Sequence, residues 1–220
     1  CVDASLKAQR VGCAIVLDLV EVNRIITKAR ETPDFCLAFE RFAPMLSFQA
    51  ADTNFANVDS EFGEKTRNQA GYILGFAEQS LATGGLARVH ILEWQSSSIR
   101  RVVRATLSAE GYGVTEGAES LDWVRNLVVE MTFPDRNLAE IAEGYRIPAL
   151  WLSDSKSLVD IVQRDAGMAT DNRVRILIAN LKQMRSEYKT MLIWIDTLVM
   201  LADALTTFDA SCDILMTAMS

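Results

Sequence analysis

Apolar residues recur at every third or fourth position between residues 13 and 30, with Ile15, Leu19, Val22, Ile26 and Ala29 on one face. That spacing predicts an amphipathic helix. Thr32-Pro33 stops it, because a proline disfavours helical backbone at the residue before it. A short, mostly apolar run from Phe35 to Phe42 leads to Pro44, the expected boundary of the main domain. Beyond Pro44 the period shortens. Met45 to Ala51 alternates, with Leu46, Phe48 and Ala50 on one side, and reads as a first strand. The polar stretch Asn54 to Asn68 reads as a loop, and Ala70 to Ala77 and Ala87 to Gln95 as two further strands joined by a turn at Gly84-Gly85. Their short links make antiparallel pairing of the three the simplest arrangement.

The helical period returns between residues 105 and 131, where Leu107, Val114, Leu121, Val124 and Val128 share a face. Gly111, Gly113 and Gly117 weaken this helix, each by up to about 1 kcal/mol relative to alanine, and small residues there suit close packing on a sheet. Pro134 ends the region. Ile147 to Leu152 is an apolar run of the kind found in buried parallel strands, with Pro148 near its start, where a missing donor is tolerated. A helix from Ser157 to Val162, a helix over residues 173 to 188, a fifth strand from Met191 to Ile195 and a closing helix from Val199 to Leu205 complete the chain. Three antiparallel strands followed by strand–helix units imply an α/β fold with a mixed five-stranded sheet and helices on both faces.

At 220 residues, half of them hydrophobic, the chain is long enough to bury a sizeable core in one domain with an appendage or in two small ones. The expected division is a connecting segment over residues 1–43, the main domain over 44–210 and a tail over 211–220. Apolar runs are too short and interrupted to cross a bilayer, no leader is evident, and an intracellular location is expected. The chain begins with Cys1, as a fragment of a longer protein would. Cys1, Cys13, Cys36 and Cys212 have no metal-ligand spacing and read as reduced thiols. A net charge of -7 argues mildly against wrapping nucleic acid by charge alone. Two basic clusters soften that: Arg100, Arg101 and Arg104, and Arg173, Arg175, Lys182 and Arg185.

Four acids stand where a solvated surface carboxylate is not expected. Asp52 ends the first strand's apolar run, Glu110 interrupts the apolar stripe of the long helix, Asp154 follows the run ending at Leu152, and Asp203 lies between Ala202 and Ala204. Stepping by three or four from Leu107 puts Glu110 on the face that packs against the sheet, where an acid needs a cation or a metal. If the first and fourth strands are adjacent and parallel, Asp52 and Asp154 open into one crevice, and Asp203 can reach the same place. Oxygen donors without Cys or His favour hard cations, Mg²⁺ or Mn²⁺, and two such ions ~4 Å apart suit phosphodiester cleavage. The bland alternatives are a helix cap at Asp154 and a surface acid at Asp203. A Ser-His-Asp hydrolase is disfavoured, because the single histidine, His90, lies inside a predicted strand, and no Gly-Lys-(Ser/Thr) phosphate loop exists. Trp151 and Trp194 fall in predicted core strands and read as packing rather than as base-stacking platforms. Ser96, Ser98 and Arg101 are better candidates for phosphate contact.

These residues also resemble a family. Ala51-Asp52-Thr53-Asn54-Phe55-Ala56, followed by Asn68-Gln69-Ala70-Gly71-Tyr72, resembles the opening of the ribonuclease H domain in copia-type LTR retrotransposon polyproteins. Glu93-Trp94-Gln95-Ser96, Ser108-Ala109-Glu110 and Leu152-Ser153-Asp154-Ser155-Lys156-Ser157-Leu158 are similar to the segments that follow in that family. Trp194-Ile195-Asp196-Thr197 with Leu201-Ala202-Asp203-Ala204-Leu205-Thr206 resembles its closing motif, although the closing lysine is Thr207 here. Residues 13 to 42 look like the segment that joins the reverse transcriptase to this domain. The resemblance covers nearly the whole chain and implies a ribonuclease-H-like fold and a two-metal endonuclease that cuts the RNA strand of RNA–DNA hybrids. It makes Asp52, Glu110, Asp154 and Asp203 the metal ligands, with Asp52 and Asp154 shared between two Mg²⁺ or Mn²⁺ ions and Glu110 and Asp203 completing one each. The implied partners are the hybrid and the remainder of the reverse transcriptase polyprotein. The runner-up is an inactive binding or connection module of the same fold, and a weaker third reading is an integrase-like relative.

Overall fold

A computed structural model of the chain describes residues 4, 8, 15–31, 33, 36, 37, 39, 40, 45–58, 67–99, 103, 105–135, 137, 147–164, 171–207, 211 and 213–219, with only the backbone at 55–58 and 67. Five strands, β1 (Met45–Val58), β2 (Arg67–Glu78), β3 (Val89–Ser98), β4 (Ala149–Ser153) and β5 (Thr190–Trp194), form one sheet in the order β3-β2-β1-β4-β5. β1 pairs antiparallel with β2, and β2 with β3, while β4 runs parallel to both β1 and β5. This is the mixed sheet of a ribonuclease-H-like fold, with three antiparallel strands and two added parallel ones.

The alternation expected in β1 is replaced by continuous burial from Leu46 to Thr53, because β1 lies at the centre of the sheet and is covered on both faces. One face is packed by the helices α2 (Thr106–Thr132), α3 (Lys156–Gln163) and α4 (Asn172–Glu187), through Val114, Leu121, Leu158 and Leu181 onto Ala51, Tyr72 and Trp151. The opposite face carries Leu46, Phe48, Ala50, Leu150 and Leu152 under Met200 and Ala202. Preceding all of this, α1 (Val16–Arg30) leaves Val16, Leu17 and Leu19 exposed among the described residues. Among the described residues no helix is long and apolar enough to cross a membrane.

The glycines of α2 let it lie close to its neighbours. A Cβ on Gly117 would stand 2.0 Å from Gln49 Oε1, one on Gly113 2.8 Å from Thr53 Cγ2, and one on Gly111 2.6 Å from Leu177 Cδ2 of α4. Arg125, also on α2, is buried and donates through Nε to Ile147 O at 2.9 Å and through Nη1 to Tyr188 O at 3.3 Å. That side chain fastens the helix to the segments entering β4 and leaving α4.

Three further expectations fail. The loop expected from Asn54 to Asn68 is strand at both ends, because Asn54 pairs with Gln69 and Val58 with Arg67, extending the ladder beyond the apolar run. Residues 59–66 lie outside the described residues. The closing helix expected from Val199 to Leu205 is broken. A 3₁₀ turn (Thr197–Val199), with the Asp196 side chain accepting from Leu198 N, is followed by extended backbone at Met200 and only then by the short helix α5 (Asp203–Thr206). Trp194 is half-exposed rather than core, since β5 is the edge of the sheet. A last helix, α6 (Asp213–Met219), buries Leu215 against Ile73, Ile91 and Leu205.

Candidate metal centre

Parallel pairing of β1 and β4 runs from Ser47↔Ala149 to Ala50↔Leu152. Asp52 and Asp154 each lie two residues beyond that last pair, so the register alone brings them side by side. Asp154 follows the end of β4, whereas Asp52, expected at a strand end, lies inside β1, which continues to Val58 in its pairing with β2. Glu110 comes from the first turns of α2 and is 6% exposed, as the helical spacing predicts for the sheet-facing side. One carboxylate oxygen of each of Asp52, Glu110 and Asp154 lies within 4.8 Å of the other two. Asp203, the first residue of α5, is half-buried, and its charge reaches Asp52, but it lies outside that triad.

Hydrogen bonds orient the group. Asp154 Oδ2 accepts from Thr197 Oγ1 at 2.8 Å, and its backbone oxygen accepts from Trp194 Nε1 at 2.9 Å. Asp154 does not cap α3; Ser155 stands at that position. Asp203 Oδ1 accepts from Thr207 Oγ1 at 2.7 Å. Asp52 Oδ2 accepts from the hydroxyl of Thr206.

Burial pushes the Asp52 carboxyl up to about 6, with the charges of Asp154 and Asp203 adding to the effect and the Thr206 hydrogen bond opposing it. Glu110 is pushed up to about 9, by burial first and then by the charges of Asp52 and Asp154, with the nearby Thr53 hydroxyl opposing them. Among the described residues no ion pair involves these acids, and Glu110 Oε2 is buried without a hydrogen-bond partner. Three oxygen donors in mutual reach, with no lysine or arginine compensating them among the described residues and one orphaned oxygen, fit a hard divalent cation. A buried cluster of like charges is otherwise costly.

The candidate phosphate contacts are placed less directly. Ser96 Oγ donates to Leu205 O at 2.5 Å and lies 2.9 Å from Gln69 Nε2, so it anchors α5 to β3. Ser98 Oγ donates to Gln69 Oε1 at 3.2 Å and shares with Tyr112 and Arg173 the lining of a groove of about 820 Å³. Arg100, Arg101 and Arg104 lie outside the described residues. His90 is far from the acids in role as well as in sequence: its Nε2 accepts from Glu40 N at 2.9 Å, and its ring meets Phe39 edge-on. Sequence reasoning missed Thr206 and Thr197. Hydroxyls carry no periodic signal, and their roles emerge only once α5 and the preceding turn are folded against the strand ends.

No family model matches the chain, and no curated protein matches it. Solved structures similar to it are ribonuclease H proteins at low identity. The N-terminal RNase H domain of a Mycobacterium tuberculosis protein is 15% identical, covers 79% of this chain and 96% of its own, and has a TM-score of 0.43. For LC11-RNase H1, isolated from compost by a metagenomic approach, the values are 13%, 74%, 93% and 0.45. For the prototype foamy virus protease-reverse transcriptase they are 12%, 72%, 18% and 0.39, so this chain spans less than a fifth of that protein. The fold assignment rests on the strand order and register described above.

Proposed function

We propose that this chain is a metal-dependent ribonuclease H domain of a copia-type retroelement polyprotein, hydrolysing the RNA strand of RNA–DNA hybrids. The observation that carries the reading is the convergence of Asp52, Glu110 and Asp154 within 4.8 Å, with no lysine or arginine paired to them among the described residues. Asp203 is the fourth acid of the proposed site, close enough for its charge to be felt at Asp52. The donor set suits Mg²⁺ or Mn²⁺. Two such ions, when bound, would activate a water and stabilise the leaving oxygen of a phosphodiester. What the chain itself contributes is a rigid seat: two adjacent parallel strands, one helix and hydroxyl donors that aim the carboxylates.

In the same proposal residues 44–210 form the catalytic domain, residues 1–43 the connection to a reverse transcriptase and residues 211–220 a tail. Ser98 and Arg101 contact the hybrid's phosphates together with Ser96, whose hydroxyl is engaged by Leu205 O in the unbound chain. Arg101→Ala should weaken hybrid binding with little change in melting temperature, and unchanged affinity would remove Arg101 from the interface.

The deciding experiment incubates the purified chain with a labelled RNA–DNA hybrid and Mg²⁺ or Mn²⁺, beside double-stranded DNA and an Asp52→Asn control. Metal-dependent loss of the RNA strand alone, absent in the control, is the expected result. A folded chain that cleaves with neither metal overturns the enzymatic reading and leaves a binding or connection module.

A further inference from the structure

Thr206 ends the short helix α5, and its hydroxyl donates to Asp52 Oδ2. Both residues are buried, at 3% and 8% exposure, so the bond is shielded from competing water. The approach depends on Gly71, the β2 residue paired directly with Asp52. A Cβ on Gly71 would stand 2.7 Å from Leu205 Cβ and 2.9 Å from Thr206 Cγ2, closer than real side chains allow. α5 is further clamped by Ser96 Oγ on Leu205 O at 2.5 Å and by Leu205 itself, fully buried beside Ile73 and Ile91. The helix is therefore seated by packing on the sheet, and the hydroxyl reaches Asp52 from a fixed base.

We propose that Thr206 is a positioning residue of the metal centre, whose hydroxyl holds Asp52 in the orientation that faces Glu110 and Asp154. The inference rests on the metal-centre reading given above and deepens it. Ionised, as a cation requires them, three carboxylates within 4.8 Å repel one another, and an unrestrained Asp52 would relieve that repulsion by turning away. A lysine or arginine could restrain it only by neutralising the charge that a cation needs. A hydroxyl restrains it with a hydrogen bond and leaves the charge in place. It occupies Oδ2, and the carboxylate keeps lone pairs for a metal. Thr206 touches no reacting atom and acts through Asp52.

The test compares the wild-type chain with Thr206→Val, which keeps the shape and loses the donor, and Thr206→Ser, which keeps the donor and loses a methyl group. Mn²⁺ affinity is read from the electron paramagnetic resonance signal of the free ion, melting temperature without metal reports the fold, and kcat and KM are measured on the hybrid. Thr206→Val should fold without metal, bind Mn²⁺ roughly ten- to a hundredfold more weakly and lower kcat while leaving KM for the hybrid near wild type. Thr206→Ser should stay within about threefold of wild-type affinity. Wild-type Mn²⁺ affinity in a folded Thr206→Val chain would overturn the proposal, because the hydroxyl would then serve packing alone. If Thr206→Val does not fold, Thr206→Ser decides: a folded serine variant weakened more than about tenfold also overturns it. A wild-type chain that takes up no Mn²⁺ would sink the metal-centre reading and this inference with it, a failure distinct from the other two.

Discussion

Two glutamates of this chain are treated in opposite ways. Glu78, at the end of β2, accepts from Arg88 Nη2 at 2.6 Å and from Nε at 2.9 Å, and Arg88 also donates to Glu40 at 2.7 Å. The Arg88 hydrogen bonds hold the Glu78 carboxyl below its ordinary value. Glu110 is buried, has two more carboxylates for neighbours and no cation among the described residues, and is held far above its ordinary value. The chain pairs the acid that water would have solvated anyway and leaves unpaired the one whose charge is expensive. Such an inversion makes physical sense when the missing positive charge comes from outside the chain.

Removing an acid of the proposed metal site is the largest way to break the comparison. Asp154→Asn should lower metal-dependent cleavage of a hybrid by about a thousandfold or more while leaving the apo melting temperature close to wild type. Glu78→Gln should leave the rate unchanged. Equal effects of the two substitutions would mean that the buried cluster has no privileged role.

Metal and proton should compete for the buried acids. The ordinary values of Asp52 and Glu110 are 3.8 and 4.5, against about 6 and about 9 in the folded chain. Between those limits the folded protein holds protons that the unfolded chain has released, so a rise in pH favours unfolding. Apo stability should therefore decline from about pH 4 towards pH 9, and a divalent ion should restore it above the folded values, where the carboxylates are free to bind. At a hundred times its dissociation constant the ion adds about 2.7 kcal/mol, a rise of roughly 5–10 °C in melting temperature. That shift should shrink at pH 5. A metal-induced shift equal at pH 5 and pH 8 would mean that these carboxylates do not take up the ion.

Neutralising the expensive charge should stabilise the empty protein. Glu110→Gln is expected to raise the apo melting temperature at pH 8 by roughly 2–8 °C, on the order of 1–2 kcal/mol, while abolishing cleavage. Stability gained where function is lost separates a binding site from a structural ion pair, in which the same change would destabilise.

Much of this contrast could be read before folding. The apolar runs of β1 and β4 are each followed closely by an acid, and their parallel register then aligns Asp52 with Asp154 without any further information. Glu110 was legible because its helix keeps a 3.6-residue period, so an acid on the apolar side stands out. The C-terminal part was not legible. Val199 to Leu205 is apolar enough to suggest a helix, but the Asp196 cap and the extended Met200 interrupt it, and both are local hydrogen-bond choices that periodicity does not record. Trp194 was misread for another reason: an apolar run does not reveal which strand will lie at the edge of the sheet. Asn54 joined the strand because β2 offered its backbone a partner, which outweighed a polar composition.

The smallest effect is expected at the other pole of the comparison. Arg88→Ala removes both partners' cation, yet Glu78 and Glu40 remain accessible to water, and the melting temperature at pH 7 should move by only about 1 °C. The pH dependence carries the sharper information. A carboxyl lowered by a partner contributes stability above its unfolded value that is lost as pH falls through the folded one, the reverse of Glu110. Arg88→Ala should therefore narrow any difference from wild type as the pH drops below 4.5, where Glu78 is protonated in the unfolded chain. Glu110→Gln should lose its advantage over the same interval, because below 4.5 the glutamate is neutral in the unfolded chain as well as in the folded one. Thermal melts of the two variants and wild type between pH 3 and pH 8 measure both curves. A large loss at Arg88→Ala persisting at pH 3 would show that the arginine packs rather than pairs, and the contrast between the two acids would then rest on Glu110 alone.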